Sequence, residues 1–181
     1  MEEKKKLKIV SIISFFVIAI IGTLLHFIYE FSLENKFVGS FSAVNESVFE
    51  HLKILVMPMF LVSIYEFIIF KSRKYNLFVA LLFRIIAGIV FVILVFYTYT
   101  HIIGKNIAIV DILTFYIAIL ISQIIWYIVL VKCSFSKNIS IISLIISLSM
   151  FVLFVIFTYF PPKLELFRDS TNSTYGIFNE K

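Results

Sequence analysis

The sequence contains one cysteine and few charged residues. A single cysteine, Cys133, cannot form an intramolecular disulfide and offers no thiolate cluster for a metal. Only 15% of the 181 residues are charged and 61% are hydrophobic. Soluble domains are about 25% charged and roughly 45–50% apolar. The composition therefore excludes an ordinary soluble domain.

The chain also lacks the alternation of apolar and polar residues that is typical of β-strands. Its Ile, Leu, Val and Phe residues form long runs, and about 20 apolar residues in a helix cross a hydrocarbon core roughly 30 Å thick. The runs predict an all-α integral membrane bundle, one membrane domain over residues 1–181. No A-x-A-like cleavage site follows the first run, so we expect it to be retained. The predicted spans are 7–29, 48–70, 76–99, 107–131 and 139–160, and a polar tail follows at 161–181.

The basic residues outside the apolar runs are distributed unevenly between the two sides of the predicted bundle. Cytoplasmic segments of membrane proteins carry an excess of Lys and Arg, so the richer side predicts a cytoplasmic N-terminus and an outer C-terminus. These residues stand in short clusters between apolar runs, a pattern that indicates topology and not nucleic-acid binding. The richer side holds Lys4, Lys5, Lys6, Lys8, Lys71, Arg73, Lys74, Lys132 and Lys137.

A polar stretch, FSAVNESVFEHLK at 41–53, precedes the second predicted span. Ser47 and Glu50 fit a capping box, in which Ser47 accepts from the Glu50 amide and the Glu50 carboxylate reaches back to the Ser47 amide. Capping leaves Asn45, Glu46 and His51 without an explanation. We therefore ask whether these side chains form a site.

Other polar residues are predicted to lie at the same outer side. His26 and Glu30 are four residues apart, which places them on one helical face, and Asp111 lies near the outer end of the fourth span. Ionisable residues within spans usually face a bundle interior or a cavity. We expect a shared polar pocket, with the tail folding over it from Pro161 and Pro162 and placing Phe167, Asp169 and Tyr175 nearest. The predicted pocket comprises His26, Glu30, Asn45, Glu46, Glu50, His51 and Asp111.

A separate pair of opposite charges is predicted near the cytoplasmic side. Glu66 lies about one turn inside the second span, and Arg84 lies about two turns inside the third, which runs back from the same side. An unpaired ion in hydrocarbon is costly, so these residues predict a structural ion pair.

Several motifs resemble those of a known family. They are HFIYE at 26–30, VNESVFEHLK at 44–53 with Pro58 following, and PPKLELFRDSTNSTYG at 161–176. Together they resemble an uncharacterised family of small bacterial multi-pass membrane proteins, a domain of unknown function with a VNES-x-x-EHLK motif. The resemblance implies a bacterial source and a multi-pass location in the plasma membrane. It implies no activity.

Three functional hypotheses follow. The first is a protein that binds a small molecule or ion, because the nitrogen and oxygen donors of the pocket suit a divalent metal; the cofactor itself stays unknown. The second is a membrane-embedded hydrolase with Glu50 or His51 as general base, although HExxH and GxSxG spacings are absent and enzymatic activity stays open. The third is an accessory or regulatory subunit that docks a membrane-protein partner. In each case the lipid bilayer is an expected partner and nucleic acid is not.

Overall fold

The computed structural model describes residues 2–178, so Met1 and residues 179–181 of the predicted tail lie outside it. The described residues contain no β-strand, and Arg168 and Tyr175 form an isolated bridge. The predicted all-α fold is confirmed. The helices are α1 (Glu2–Phe31), α2 (Lys36–Gly39), α3 (Val48–Ile69), α4 (Lys74–Ile103), α5 (Ala108–Lys132) and α6 (Lys137–Tyr159).

Five of these helices are long and apolar enough to cross a membrane, as predicted. The shortest, α3, has 22 residues and is therefore about 33 Å long. Large apolar side chains are exposed along the outside of the bundle, for example Phe16 at 58% and Ile145 at 58%. Exposed apolar surface on this scale suits lipid and not water.

Local sequence signals account for several helix ends. Ser47 and Ser136 cap the first turns of α3 and α6 through their hydroxyls. Gly104 ends α4 in the left-handed region, at φ 80°, where glycine has no steric penalty. The first helix begins at Glu2, before the predicted start of the span at residue 7, because lysine is a good helix former outside the hydrocarbon.

Four of the long helices form a ring, in which α1 packs on α3, α3 on α4, α4 on α5 and α5 on α1. The sixth helix packs outside this ring on α4 and α3. The core between them includes Leu55, Met59, Ile85 and Ile119, all fully buried. Gly88 lets α4 approach α5 closely, since a Cβ there would lie 2.7 Å from Ser122 Oγ.

One end of the bundle, named here the site end, contains the ends of α1, α4 and α6 and the starts of α3 and α5. Residues 161–178 fold across it, and Phe167 packs on Phe49 and Phe157 with ring centroids 4.5 and 5.4 Å apart. The Ile177 amide donates to the Thr158 carbonyl at 2.9 Å. The tail is therefore part of the packed structure.

Glu66 and Arg84 lie side by side inside the bundle, towards the opposite end. Arg84 Nη1 is 2.9 Å from Glu66 Oε2 and 3.0 Å from Oε1, and both side chains are at most 1% exposed. The Ser14 hydroxyl donates to Glu66 Oε1 at 2.7 Å, and Arg84 Nη2 donates to the Met59 carbonyl at 2.5 Å. The pair thus joins α1, α3 and α4.

Candidate metal-binding site

The connection between α1 and α3 brings residues 44–47 back against the end of α1. Leu33 and Glu34 adopt left-handed backbone conformations just after α1 ends, which reverses the chain. The Ala43 amide then donates to the Leu25 carbonyl at 3.1 Å. This bond holds the segment before α3 beside the last turns of α1, where His26 lies.

Two side chains shape the start of α3. Asn45 Oδ1 accepts from the Ser47 amide at 3.0 Å, and Ser47 Oγ accepts from the Glu50 amide at 3.3 Å. Half of the predicted capping box is therefore present. The prediction that the Glu50 carboxylate reaches back to the Ser47 amide is wrong, because Lys53 draws this carboxylate inward, where it accepts from the Val44 amide at 3.1 Å.

His51 is oriented by its own helix. Its Nδ1 lies 2.8 Å from the Ser47 carbonyl oxygen. A carbonyl can only accept, so Nδ1 carries a proton, and in the neutral ring Nε2 then has the free lone pair. Nε2 lies 3.6 Å from Glu46 Oε2. The backbone thus fixes the tautomer that a metal bound at Nε2 requires.

Three potential metal ligands converge here from two segments of the chain. One ligand atom from each of His26, Glu46 and His51 lies within 4.8 Å of the other two. The two imidazole rings are 5.2 Å apart and nearly perpendicular, at 78°. Ligands about 2.0–2.2 Å from a tetrahedral Zn²⁺ lie roughly 3.3–3.6 Å from one another. The distance of 3.6 Å between Glu46 Oε2 and His51 Nε2 is close to this value.

A cavity of about 260 Å³ adjoins two of these three residues, His26 and Glu46. His26 and Glu46 line it together with Glu30, one turn after His26, and Asn45. The side chains of His51 and Glu46 are 32% and 47% exposed. The cluster is thus half-exposed and has space beside it for water or a small ligand.

Asp169 connects the tail to this cluster. Its Oδ2 accepts from the Glu46 amide at 3.3 Å, and its Oδ1 accepts from the amide and hydroxyl of Thr171 at 2.7 and 2.6 Å. Burial raises the pKa of Asp169, but these hydrogen bonds outweigh it and hold the pKa below its ordinary 3.8. At neutral pH an ionised Asp169 therefore holds the backbone of Glu46.

Two residues of the predicted pocket have partners elsewhere. Glu50 is 1% exposed and faces Lys53 inside the bundle. Asp111 accepts a hydrogen bond from the Tyr99 hydroxyl of α4 and lies within electrostatic reach of His51. The structure thus brings His26, Glu30, Asn45, Glu46 and His51 to one cavity or its edge.

Lys53 is the important residue that the sequence analysis missed. The sequence analysis gave it no role, yet its side chain is fully buried. Its Nζ lies 2.5 Å from Glu50 Oε2, 2.7 Å from Thr158 Oγ1 and 2.9 Å from the Gly39 carbonyl oxygen. The spacing of Glu50 and Lys53, three residues apart before an apolar run, is the signal that could have identified the pair.

Fold and site together define a class: an all-helical bundle with five helices of membrane-spanning length and a histidine–carboxylate cluster at one end. The sequence model of the Family of unknown function (DUF6512) matches residues 1–177, and the chain belongs to that family. The resemblance to an uncharacterised domain is confirmed. Neither a curated protein nor a solved structure matches the chain.

Proposed function

We propose that the protein is a bacterial plasma-membrane protein that binds a divalent transition-metal ion at its site end through His26, Glu46 and His51. The convergence of these three ligand atoms within 4.8 Å carries the proposal. Two imidazole nitrogens and a carboxylate suit Zn²⁺ and other divalent first-row transition metals, whereas Mg²⁺ and Ca²⁺ prefer oxygen ligands alone.

The surroundings support binding at an open site. Structural zinc sites have four protein ligands, whereas sites with three keep a position for water or a substrate. Here the adjoining cavity provides that space, and Glu30 lines it. The hydrogen bond from His51 to the Ser47 carbonyl supplies the outer-shell contact that metal-bound histidines usually make.

The alternative functions receive less support from the geometry. A hydrolytic base must reach its substrate, but Glu50 is buried and bound by Lys53 and the Val44 amide. A docking subunit needs an accessible tail, but the tail buries Phe167 and Asp169 on its own bundle. Metal binding uses residues that remain reachable.

The proposed orientation places the N-terminus in the cytoplasm and the site end outside. Nine basic residues flank the opposite end, and Lys53 at the site end is neutralised by Glu50. Reporter fusions at Lys74 and at the C-terminus should therefore give opposite signals, inside and outside respectively. Equal signals would exclude the five-span arrangement, and reversed signals would exclude the orientation.

Zinc binding by the purified protein is the direct test. We expect one Zn²⁺ per chain in calorimetric titration after chelator treatment in detergent. H26A and H51A should each weaken binding more than about tenfold, because loss of outer-shell contacts alone costs about 10–100-fold. Binding should also weaken in acid, because protons compete with the metal for its ligands.

His101 provides a matched control. It lies in the last turn of α4 at the same end of the bundle, but it is exposed and outside the cluster. H101A should bind Zn²⁺ like the unmodified protein. If H26A and H51A bind no more weakly than H101A, the cluster is not the site.

A further inference from the structure

A second cavity, of about 400 Å³, lies between α1 and α5 on the side of the bundle away from the metal cluster. The bond from Ser11 Oγ to the Gln123 carbonyl, at 3.3 Å, fixes the register of these two helices. The helices α1 and α5 run in opposite directions. Measured from this bond towards the end of the bundle that lies opposite the site end, Lys8 is therefore about 4.5 Å away and Tyr127 about 6 Å away. Lys8, Ser11, Gln123 and Tyr127 therefore line one part of the cavity.

The other part of the cavity is apolar. Phe15 and Leu120 lie about 6 and 4.5 Å further into the bundle than the Ser11–Gln123 bond. Ile12 and Leu120, which are 50% and 49% exposed, open the cavity to the lipid-facing surface. The cavity thus has a cationic and polar mouth and an apolar interior, which is the polarity of an amphiphile with an anionic head.

Gln123 is an independent sign of a missing partner. The residue is 2% exposed, and neither Nε2 nor Oε1 of its side chain has a hydrogen-bond partner among residues 2–178. An amide buried without partners is costly, most of all in a membrane, where water cannot replace them. A ligand with acceptor oxygens would satisfy the Nε2 donor.

We propose that this groove binds an anionic phospholipid of the bilayer. The phosphate lies beside Lys8 and Tyr127, a glycerol ester carbonyl accepts from the Gln123 amide, and an acyl chain follows Phe15 and Leu120. Basic pockets between spans bind anionic headgroups in this way. The proposal rests on the membrane location and is independent of the metal cluster.

The test is native mass spectrometry of delipidated protein in an uncharged detergent with chelator, titrated with phosphatidylglycerol or phosphatidylcholine. We expect phosphatidylglycerol to bind more tightly. K8A should weaken phosphatidylglycerol about fivefold and phosphatidylcholine less, because the choline group of phosphatidylcholine already compensates the charge of its phosphate. Gln123→Leu should weaken both lipids about fivefold, because both present ester carbonyls. Lys5 is exposed and outside the groove, so K5A should bind as the unmodified protein does.

Thermal melting of the same samples separates lipid binding from a packing role of Gln123. Without lipid, Gln123→Leu removes an unsatisfied buried amide and should melt at the same or a higher temperature. It should then lose most of the stabilisation that phosphatidylglycerol gives. Equal affinities for the two lipids would overturn the proposal. So would K8A and Gln123→Leu proteins that bind phosphatidylglycerol as tightly as K5A does. Oleate binding as tightly as phosphatidylglycerol would also overturn it, in favour of a free fatty acid. Since chelator is present, none of these outcomes bears on zinc binding.

Discussion

Replacing Arg84 with methionine is expected to destabilise the protein by about 3–5 kcal/mol. The substitution leaves the Glu66 carboxylate, which is 1% exposed, without the guanidinium that lies 2.9 Å away. It also leaves the Met59 carbonyl without the donor that Arg84 Nη2 provides. The loss is large because a buried charge without its partner has neither water nor a counter-ion to stabilise it.

Unfolding in detergent can be followed through Trp126, the single tryptophan, which is 1% exposed and lies beside Glu66. The double variant E66M/R84M should be more stable than R84M, because no charge remains buried. The exchanged pair E66R/R84E should recover only part of the loss, since a carboxylate at 84 cannot donate to the Met59 carbonyl.

A matched control is the exposed pair of Glu165 and Arg168, whose side chains are 71% and 43% exposed. Glu165→Gln should change stability little, whereas Glu66→Gln should destabilise clearly, because exposed ion pairs contribute little. If neither double variant is more stable than the less stable of its single variants, Glu66 and Arg84 do not act as a pair.

The long helices were predictable because each is indicated by many apolar residues together and not by any single one. A run of twenty apolar residues needs no tertiary information to indicate a helix in lipid, and proline at 161 and 162 marks the end of the last one. The short helix α2 was not predicted. It has four residues, and Asn35 caps it through bonds to two amides, which is too weak a pattern to recognise in a loop.

Spacing within one helix made part of the site predictable. His26 and Glu30 share a face of α1 by periodicity alone, and both line the cavity. The environments of Glu50 and Asp111 depend on tertiary packing instead. Spacing permits the Glu50–Lys53 pair, but only the packing of α3 against its neighbours buries it. Asp111 of α5 meets Tyr99 only because α4 packs on α5.

Lys53→Met is expected to lower the free energy of unfolding by about 3–5 kcal/mol. This is the loss expected for R84M in the bundle interior. Lys53 is fully buried, and two of its three contacts join α3 to the Gly39 carbonyl before it and to Thr158 of α6. Its removal leaves Glu50 buried with only the Val44 amide as partner. The loss should also loosen the tail, because the Ile177 amide binds the carbonyl of the same Thr158.

Two measurements together test this role of Lys53. Thermal melting in detergent gives the stability, and hydrogen exchange of residues 161–178 reports whether the tail stays docked; both should show a loss in K53M. The double variant E50M/K53M should melt above K53M, because it leaves no unpaired charge inside the protein. Lys105→Met is the control, since Lys105 is exposed in the turn between α4 and α5 at the same end and its replacement should leave both measurements unchanged. Should K53M instead melt and exchange like K105M, the Lys53 ammonium reaches water at the start of α3, and its contacts with Glu50 and Thr158 contribute nothing to stability.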